Sequence, residues 1–345
     1  MRARRSGWVA TAQNGHMTGR FAPSPTGELH LGNLRTAAVA WLTARSAGER
    51  FLLRIEDLDR GRSRPEHEAR QMADLAAIGL DWDGAVVRQS ERFDRYRAAI
   101  DELDAQGLVY ECYCTRREIR EEIEAAPSAP HLPPDAYPGT CRDLPHDRVE
   151  ALRAAGRRPA LRLRADDRRI DFTDRLVGQA GGGVDDFVLR RNDGTAAYNV
   201  AVVVDDAEQG VDQVVRGDDL LDSTPRQILL QQLLGYPTPE YLHVPLVVND
   251  RGQRLAKRDG AVTLSALAEV GVSAQDVVGW IAPRSSWTNR PRRQPCPRSR
   301  RASCRKVSPG RRCPHRRSRS SGVDDRSVRF AAGRHRHAAA DPVAE

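Results

Sequence analysis

The chain has 345 residues, 39% of them hydrophobic, 30% charged and 5% aromatic, enough for one large or two ordinary domains with a core. This composition excludes a fibre, a disulfide miniprotein and a collagen-like repeat. No apolar run approaches the roughly 18 residues that span a bilayer, and no apolar stretch follows the arginines of the first sixteen residues, so neither a membrane protein nor a secretory signal is expected. A cytoplasmic chain with reduced cysteines is the corresponding expectation.

The formal charge of +8 is unevenly spread. Residues 283–345 hold 18 Lys and Arg against 4 Asp and Glu, whereas the first 282 residues hold 37 against 43 and are acidic. The basic end, as in 298–305 and 311–321, has neither a helical nor a strand period, and disorder is expected for it. It reads as a solvated low-complexity end. An RNA-binding tail is the sharper alternative, but arginine without interleaved aromatic rings supplies attraction and no base stacking. The chain has 53 arginines and two lysines, Lys257 and Lys306, so a lysine in the folded part is an exception that asks for a reason.

In chain order, Gly19–Ala22 reads as a short strand leading into a Pro/Gly loop from Pro23 to His30. An amphipathic helix is expected from about Leu31 to Ala44, with Leu34, Ala38, Trp41 and Leu42 at helical spacing. Phe51–Ile55 follows as a buried strand, and 64–78 and 92–106 as helices, the second stopped by Gly107. Residues 109–145 form a Cys- and Pro-rich insertion, and 162–190 is strand-rich. Val200–Val204 and Val214–Arg216 read as buried strands, Pro225–Leu234 as a helix and His243–Val248 as a final strand. Strands alternating with helices imply a Rossmann-like, doubly wound α/β nucleotide-binding domain split by the insertion. The expected units are a 1–16 extension, a first half at 17–108, an insertion at 109–190, a second half at 191–282 and the tail at 283–345.

The loop ending in His30-Leu-Gly-Asn33 stands at a helix start. There Gly32 would let a nucleotide approach the backbone, helix N–H groups would face phosphates, and His30 would donate to them. Following Arg20-Phe-Ala-Pro-Ser-Pro-Thr-Gly27, this motif resembles the HIGH signature of class I aminoacyl-tRNA synthetases, and within them the glutamyl branch, which shares Asn at the fourth position. Arg254-Leu-Ala-Lys-Arg258 resembles the KMSKS loop of that class. A mobile loop bearing an ammonium suits charge developing on ATP phosphates. The loop departs from the family pattern at Arg254 and Ala256, so only Lys257 carries over. The resemblance implies ATP with Mg²⁺ held near His30, Gly32, Asn33 and Lys257, with His30 and Lys257 as the catalytic pair.

Free glutamate needs cations for two carboxylates and an acceptor for its ammonium. Arg20 and Arg216 are candidate cations, Glu56 a candidate acceptor and Tyr198 a hydroxyl, all near expected strand ends, where open α/β sheets bind ligands. Singly, each reads as a solvated salt bridge. Together they match the glutamyl-type segments, and the resemblance implies that Arg20, Ala22, Ser24, Glu56, Tyr198 and Arg216 bind glutamate.

Cys112-Tyr-Cys114 and Tyr137-Pro-Gly-Thr-Cys141 suggest a tetrahedral zinc site closed by a nearby fourth ligand, although the spacing equally fits three unrelated cysteines. One small group, the glutamyl-queuosine tRNA(Asp) synthetases, is similar in pairing Cys-x-Cys with Tyr-x3-Cys, and this implies Cys112, Cys114, Tyr137 and Cys141 as ligands of one structural zinc. Recognisable helical pattern ends near Trp280, so no anticodon-binding domain is expected. The resemblance then implies ATP-dependent, tRNA-independent formation of glutamyl-adenylate and transfer of glutamate to queuosine in the anticodon loop of tRNA(Asp). The alternatives are a truncated glutamyl-tRNA synthetase that charges a 3′ end, a non-catalytic RNA-binding paralogue, and a small-molecule adenylyl-transferring ligase.

Overall fold

A computed structural model describes residues 18–125, 136–247 and 262–281. The expected N-terminal extension, the Lys257 loop and the basic tail lie outside them. The chain opens with β1 (Thr18–Phe21), α1 (Leu31–Ser46), β2 (Arg50–Ile55), α2 (Pro65–Ala77), β3 (Val87–Arg88) and α3 (Phe93–Ala105). It continues through β4 (Val109–Cys112), α4 (Arg116–Ala125), α5 (His146–Ala154), β5 (Ala160–Leu163), β6 (Arg169–Asp174), β7 (Gly178–Gly183) and β8 (Val188–Arg190). After these come α6 (Tyr198–Glu208), β9 (Gln213–Gly217), α7 (Thr224–Leu233), β10 (Glu240–Val244), α8 (Leu264–Glu269) and α9 (Ala274–Ile281).

Seven strands form the main sheet in the order β3-β2-β1-β9-β10-β6-β7, parallel throughout except for the β6–β7 hairpin at one edge. A second, antiparallel sheet, β4-β5-β8, stands apart and carries Cys112. Helices cover both faces of the main sheet, and the pleat shows which residue faces which layer. In β2, Leu52 packs with Tyr96, Val202 and Leu229 of α3, α6 and α7. Its neighbours Phe51 and Leu53 pack with Leu34 and Leu75 of α1 and α2. Val214 and Val215 of β9 divide in the same way.

Local chemistry starts and stops the helices near the expected places. Pro65 opens α2, and Glu66 and Glu68 face its positive end. Gly107, at φ +73, follows the last turn of α3 in the left-handed conformation that ends a helix. Among the described residues no helix is long and apolar enough to cross a membrane.

Val200–Val204 is not a strand. It is the middle of α6, and every residue from Val200 to Asp206 is buried. The modest helix propensity of valine is outweighed by burial on all sides, which gives a continuous apolar run instead of a stripe and makes helix and strand indistinguishable by period.

The helical assignment separates Asp205 and Asp206 by about 100° around the axis, so that they face different neighbours. Asp205 accepts hydrogen bonds from Arg92 Nε (2.7 Å), Gln89 Nε2 (2.9 Å) and the Tyr96 hydroxyl (2.9 Å), which clamps α3 to α6. Asp205→Ala leaves these buried donors without an acceptor and should lower the unfolding free energy by about 3–5 kcal/mol; urea denaturation of the variant against the parent measures this.

Candidate active site

In the main sheet the connections run from β1 toward β2 on one side and from β9 toward β10 on the other, so the topology reverses between β1 and β9. A cavity of about 480 Å³ opens at their carboxyl ends. It is lined by Arg20, Ala22 and Ser24 at the end of β1, by His30, Gly32 and Asn33 at the start of α1, and by Glu56, Tyr198 and Arg216. Every residue assigned from sequence to ATP or glutamate therefore borders one space, apart from Lys257, which lies outside the described residues. The described residues flanking that segment sit close by: Val247 lines the cavity, and the Val262 carbonyl accepts from Leu31 N (2.9 Å).

The loop between β1 and α1 is tied down by its neighbours. The Glu56 amide donates to Pro23 O (2.9 Å), and Gln71 Nε2 of α2 donates to Ser24 O (3.0 Å) and Gly27 O (2.7 Å). His30 is the N-cap of α1, and its Nδ1 accepts from the amides of Gly32 (3.1 Å) and Asn33 (3.3 Å). Asn33 Oδ1 accepts in return from His30 N (3.2 Å), completing a capping box. The amides expected to face a phosphate are thus already bound to His30, whose proton is assigned to Nε2 by these bonds. A Cβ on residue 32 would lie 3.0 Å from the His30 ring, so Gly32 makes room for that ring.

Beneath the cavity lies a set of buried charges. Arg54 has no exposed side-chain surface; it donates to Asp206 Oδ1 (2.7 Å), Gln209 Oε1 (2.8 Å) and Glu56 Oε1 (3.2 Å). Asp206 also pairs with Arg20 Nε at 3.5 Å, and Arg20 Nη1 donates to Val215 O (3.1 Å). Burial alone would raise the Asp206 carboxyl, but Arg54 and Arg20 hold it below the ordinary range. In Glu56 burial prevails over Arg54 and Arg20, and its carboxyl lies above that range. Burial likewise raises the Tyr198 phenol, which stays protonated and able to donate.

Arg216 is held from behind. Its Nε donates to His243 Nε2 (2.9 Å), and its terminal nitrogens donate to Gln227 Oε1 (2.7 Å) and Thr224 Oγ1 (2.8 Å). His243 Nδ1 in turn lies 2.7 Å from Asp174 Oδ2, which also accepts from His243 N (3.0 Å). A neutral ring satisfies both contacts, with Nδ1 donating and Nε2 accepting. Sequence reasoning did not find Asp174, His243, Arg54 or Asp206. The Asp205-Asp206 pair closing an apolar run was the available signal for one of them, and nothing local distinguishes Asp174 or His243.

The three cysteines also come together. Their sulfurs lie within 4.8 Å of one another, and Cys114 and Cys141 are 3.4 Å apart. The Tyr137 hydroxyl lies 3.4 Å from Cys112 Sγ and 3.6 Å from Cys114 Sγ. A tetrahedral site with metal–sulfur bonds of about 2.3 Å has edges of roughly 3.7 Å, so this donor set fits one metal ion. Hydrogen bonds from Cys114 and Cys141 hold the Cys112 thiol well below its ordinary range.

Burial lowers the pKa of His243 against the pull of Asp174. A depressed folded-state pKa contributes stability that is complete above the unfolded value near 6.5 and declines as pH falls below it. Stability should therefore drop between about pH 7.5 and 5.5 more steeply in the parent than in His243→Gln; urea midpoints across that interval provide the check.

A model of the catalytic domain of class I tRNA synthetases for Glu and Gln matches residues 16–298. A glutamyl-Q tRNA(Asp) synthetase of Nocardia farcinica is 61% identical over 277 residues, covering 80% of this chain and 87% of the relative. Its counterpart in Symbiobacterium thermophilum is 50% identical over 289 residues, 80% of this chain and 88% of the relative. The crystal structure of a glutamate tRNA ligase from Elizabethkingia meningosepticum, in complex with its amino acid, superposes with a TM-score of 0.63 at 29% identity, over 76% of this chain; the chain spans 64% of that ligase. Site, fold and similarity agree: the chain belongs to the class I tRNA synthetase family for glutamate and glutamine, among its glutamyl-Q tRNA(Asp) synthetases.

Proposed function

We propose that the protein activates L-glutamate with ATP without requiring tRNA, and then transfers the glutamyl group to queuosine in the anticodon loop of tRNA(Asp). The observation that carries this reading is the uncancelled charge of Arg216 at the cavity wall. Arg216 is buried and donates to His243 Nε2, Gln227 Oε1 and Thr224 Oγ1, all of them neutral, while Arg20, Glu56 and Tyr198 border the same space. Free glutamate, with two carboxylates and one ammonium, supplies the carboxylate that Arg216 lacks. A ligand without a carboxylate would leave that buried cation uncompensated.

In this reading Arg20 and Arg216 hold the carboxylates, and Glu56 accepts from the ammonium, whose arrival favours its ionised form. Tyr198 donates its hydroxyl, while Ala22 and Ser24 present the end of β1. Attack of the α-carboxylate on the α-phosphorus of ATP breaks the bond to the bridging oxygen, and pyrophosphate leaves; Mg²⁺ brought in with ATP would offset the charge of the phosphates. The assigned Nε2–H of His30 donates to a phosphate oxygen, and Lys257 supplies an ammonium for the departing charge. Gly32 and Asn33 fix the His30 ring. An RNA hydroxyl then displaces AMP from the acyl carbon. The units 17–108 and 191–282 supply this chemistry, with 109–190 as the inserted module and 1–16 and 283–345 as extensions.

Cys112, Cys114, Tyr137 and Cys141 are proposed to hold one zinc ion that braces the small sheet, a structural task. Zinc should be found at about one ion per chain, and Cys112→Ser should lower both zinc content and thermal stability. Metal analysis that finds no zinc in the parent would refute this part.

A glutamylation assay with glutamate, ATP and Mg²⁺ on tRNA(Asp) with and without queuosine tests the function, and transfer that ignores the modified base would restore 3′-end charging. His30→Ala and Lys257→Ala should each slow glutamate-dependent pyrophosphate exchange at least about tenfold, the loss of one transition-state contact. Exchange rates at saturating glutamate measure it.

A further inference from the structure

A second cavity, of about 630 Å³, lies beside the first, between the loop after β2, helix α3 and the turn after β8. The two are lined by neighbouring stretches of chain. Glu56 lines the first and Leu58 the second; Tyr198 lines the first and Ala196 the second. The members of each pair are two positions apart, with one residue between them, at most ~7 Å of chain. Whatever fills the second cavity therefore stands next to the acyl-transfer site.

Its walls alternate in charge. Arg60, Arg97, Arg190 and Arg191 border it, and so do Asp59, Asp101 and Asp193. Arg190 is half-buried; its backbone pairs with Leu161 and Ala196, while its side chain makes no hydrogen bond or ion pair among the described residues. Among the described residues Arg97 pairs with Asp94 alone, at 3.3 Å, where both side chains are largely exposed (66% and 92%), a contact of little worth. Arg60 lies 5.0 Å above the Phe93 ring, and Arg191 is paired with Asp193. Three carboxylates would repel a bare phosphate, and an apolar ligand would leave Arg190 unsatisfied. A ribonucleotide meets both demands: its phosphate and base acceptors take the guanidinium protons, and its hydroxyls and amino groups donate to the carboxylates. The volume falls in the range of about 300–1,000 Å³ typical of such ligands.

We propose that this cavity holds one splayed-out ribonucleotide of the acceptor RNA, next to the nucleotide that receives glutamate. The inference rests on the functional reading above, and the RNA itself, not a free mononucleotide, is the occupant.

Filter binding of the queuosine-bearing anticodon stem–loop of tRNA(Asp) to the full chain tests it. Arg190→Gln and the exposed Arg97→Glu should each raise Kd about tenfold. Arg97→Glu should also flatten the slope of log Kd against log salt by about one, an effect that misfolding would not reproduce. Glutamate-dependent pyrophosphate exchange should stay within about twofold of the parent in both variants. Unchanged Kd and salt slope overturn the inference, as does calorimetric binding of millimolar UMP that is lost in the variants while stem–loop binding is kept. A parent that binds the stem–loop through these arginines yet transfers no glutamate overturns the functional reading alone, and a parent that binds no stem–loop overturns both.

Discussion

Arg54 must be neutralised where no water reaches it, and much of the site follows from that requirement. A fully buried guanidinium is tolerable only with close carboxylates around it. Asp206 meets it from α6 and Glu56 from the end of β2, and Asp206 then also reaches Arg20 on β1. One carboxylate thus locks β1, β2 and α6 together under the cavity floor. The same arrangement leaves Glu56 accessible enough, at 11% exposure, to meet a ligand from above.

Arg216 is fixed by a different device. Its guanidinium is spread over a histidine, an amide oxygen and a threonine hydroxyl, and the histidine is backed by Asp174. Because the immediate partners are neutral, the positive charge of Arg216 is oriented without being cancelled. Asp174 also accepts from the amides of Leu176 and Val177, so a residue in the edge hairpin steers a side chain two strands away. The edge hairpin therefore supports the site as well as extending the sheet.

The small sheet is joined to the catalytic layers through aspartates. Asp185 accepts from Tyr137 N and from Arg226 of α7, and Asp186 accepts from the Tyr110 hydroxyl and the Ala165 amide. The cysteine cluster is thereby coupled to α7, the helix that also presents Gln227 to Arg216. The small sheet also reaches the second cavity, where Arg190 of β8 and the turn after it face α3.

Local sequence determined the pieces whose chemistry is contiguous. The His30–Asn33 motif, Arg20, Glu56, Tyr198, Arg216 and the Cys-x-Cys pair could be picked out because each sits in a short segment of unusual residue types, and most element boundaries followed from period, Pro and Gly. What depends on partners far along the chain could not be read. Arg54 and Asp206 are 152 residues apart, and His243 and Asp174 are 69 apart, so the value of each charge was set only when the sheet order placed them together. The valine run at 200–204 became a helix for the same reason: an all-apolar segment has no period, and only its neighbours on every side decide its conformation. The helix start at His30 shows the division within one residue. Sequence put a histidine at the cap, but folding turned its Nδ1 inward onto the amides of Gly32 and Asn33, because buried N–H groups are satisfied by the nearest acceptor.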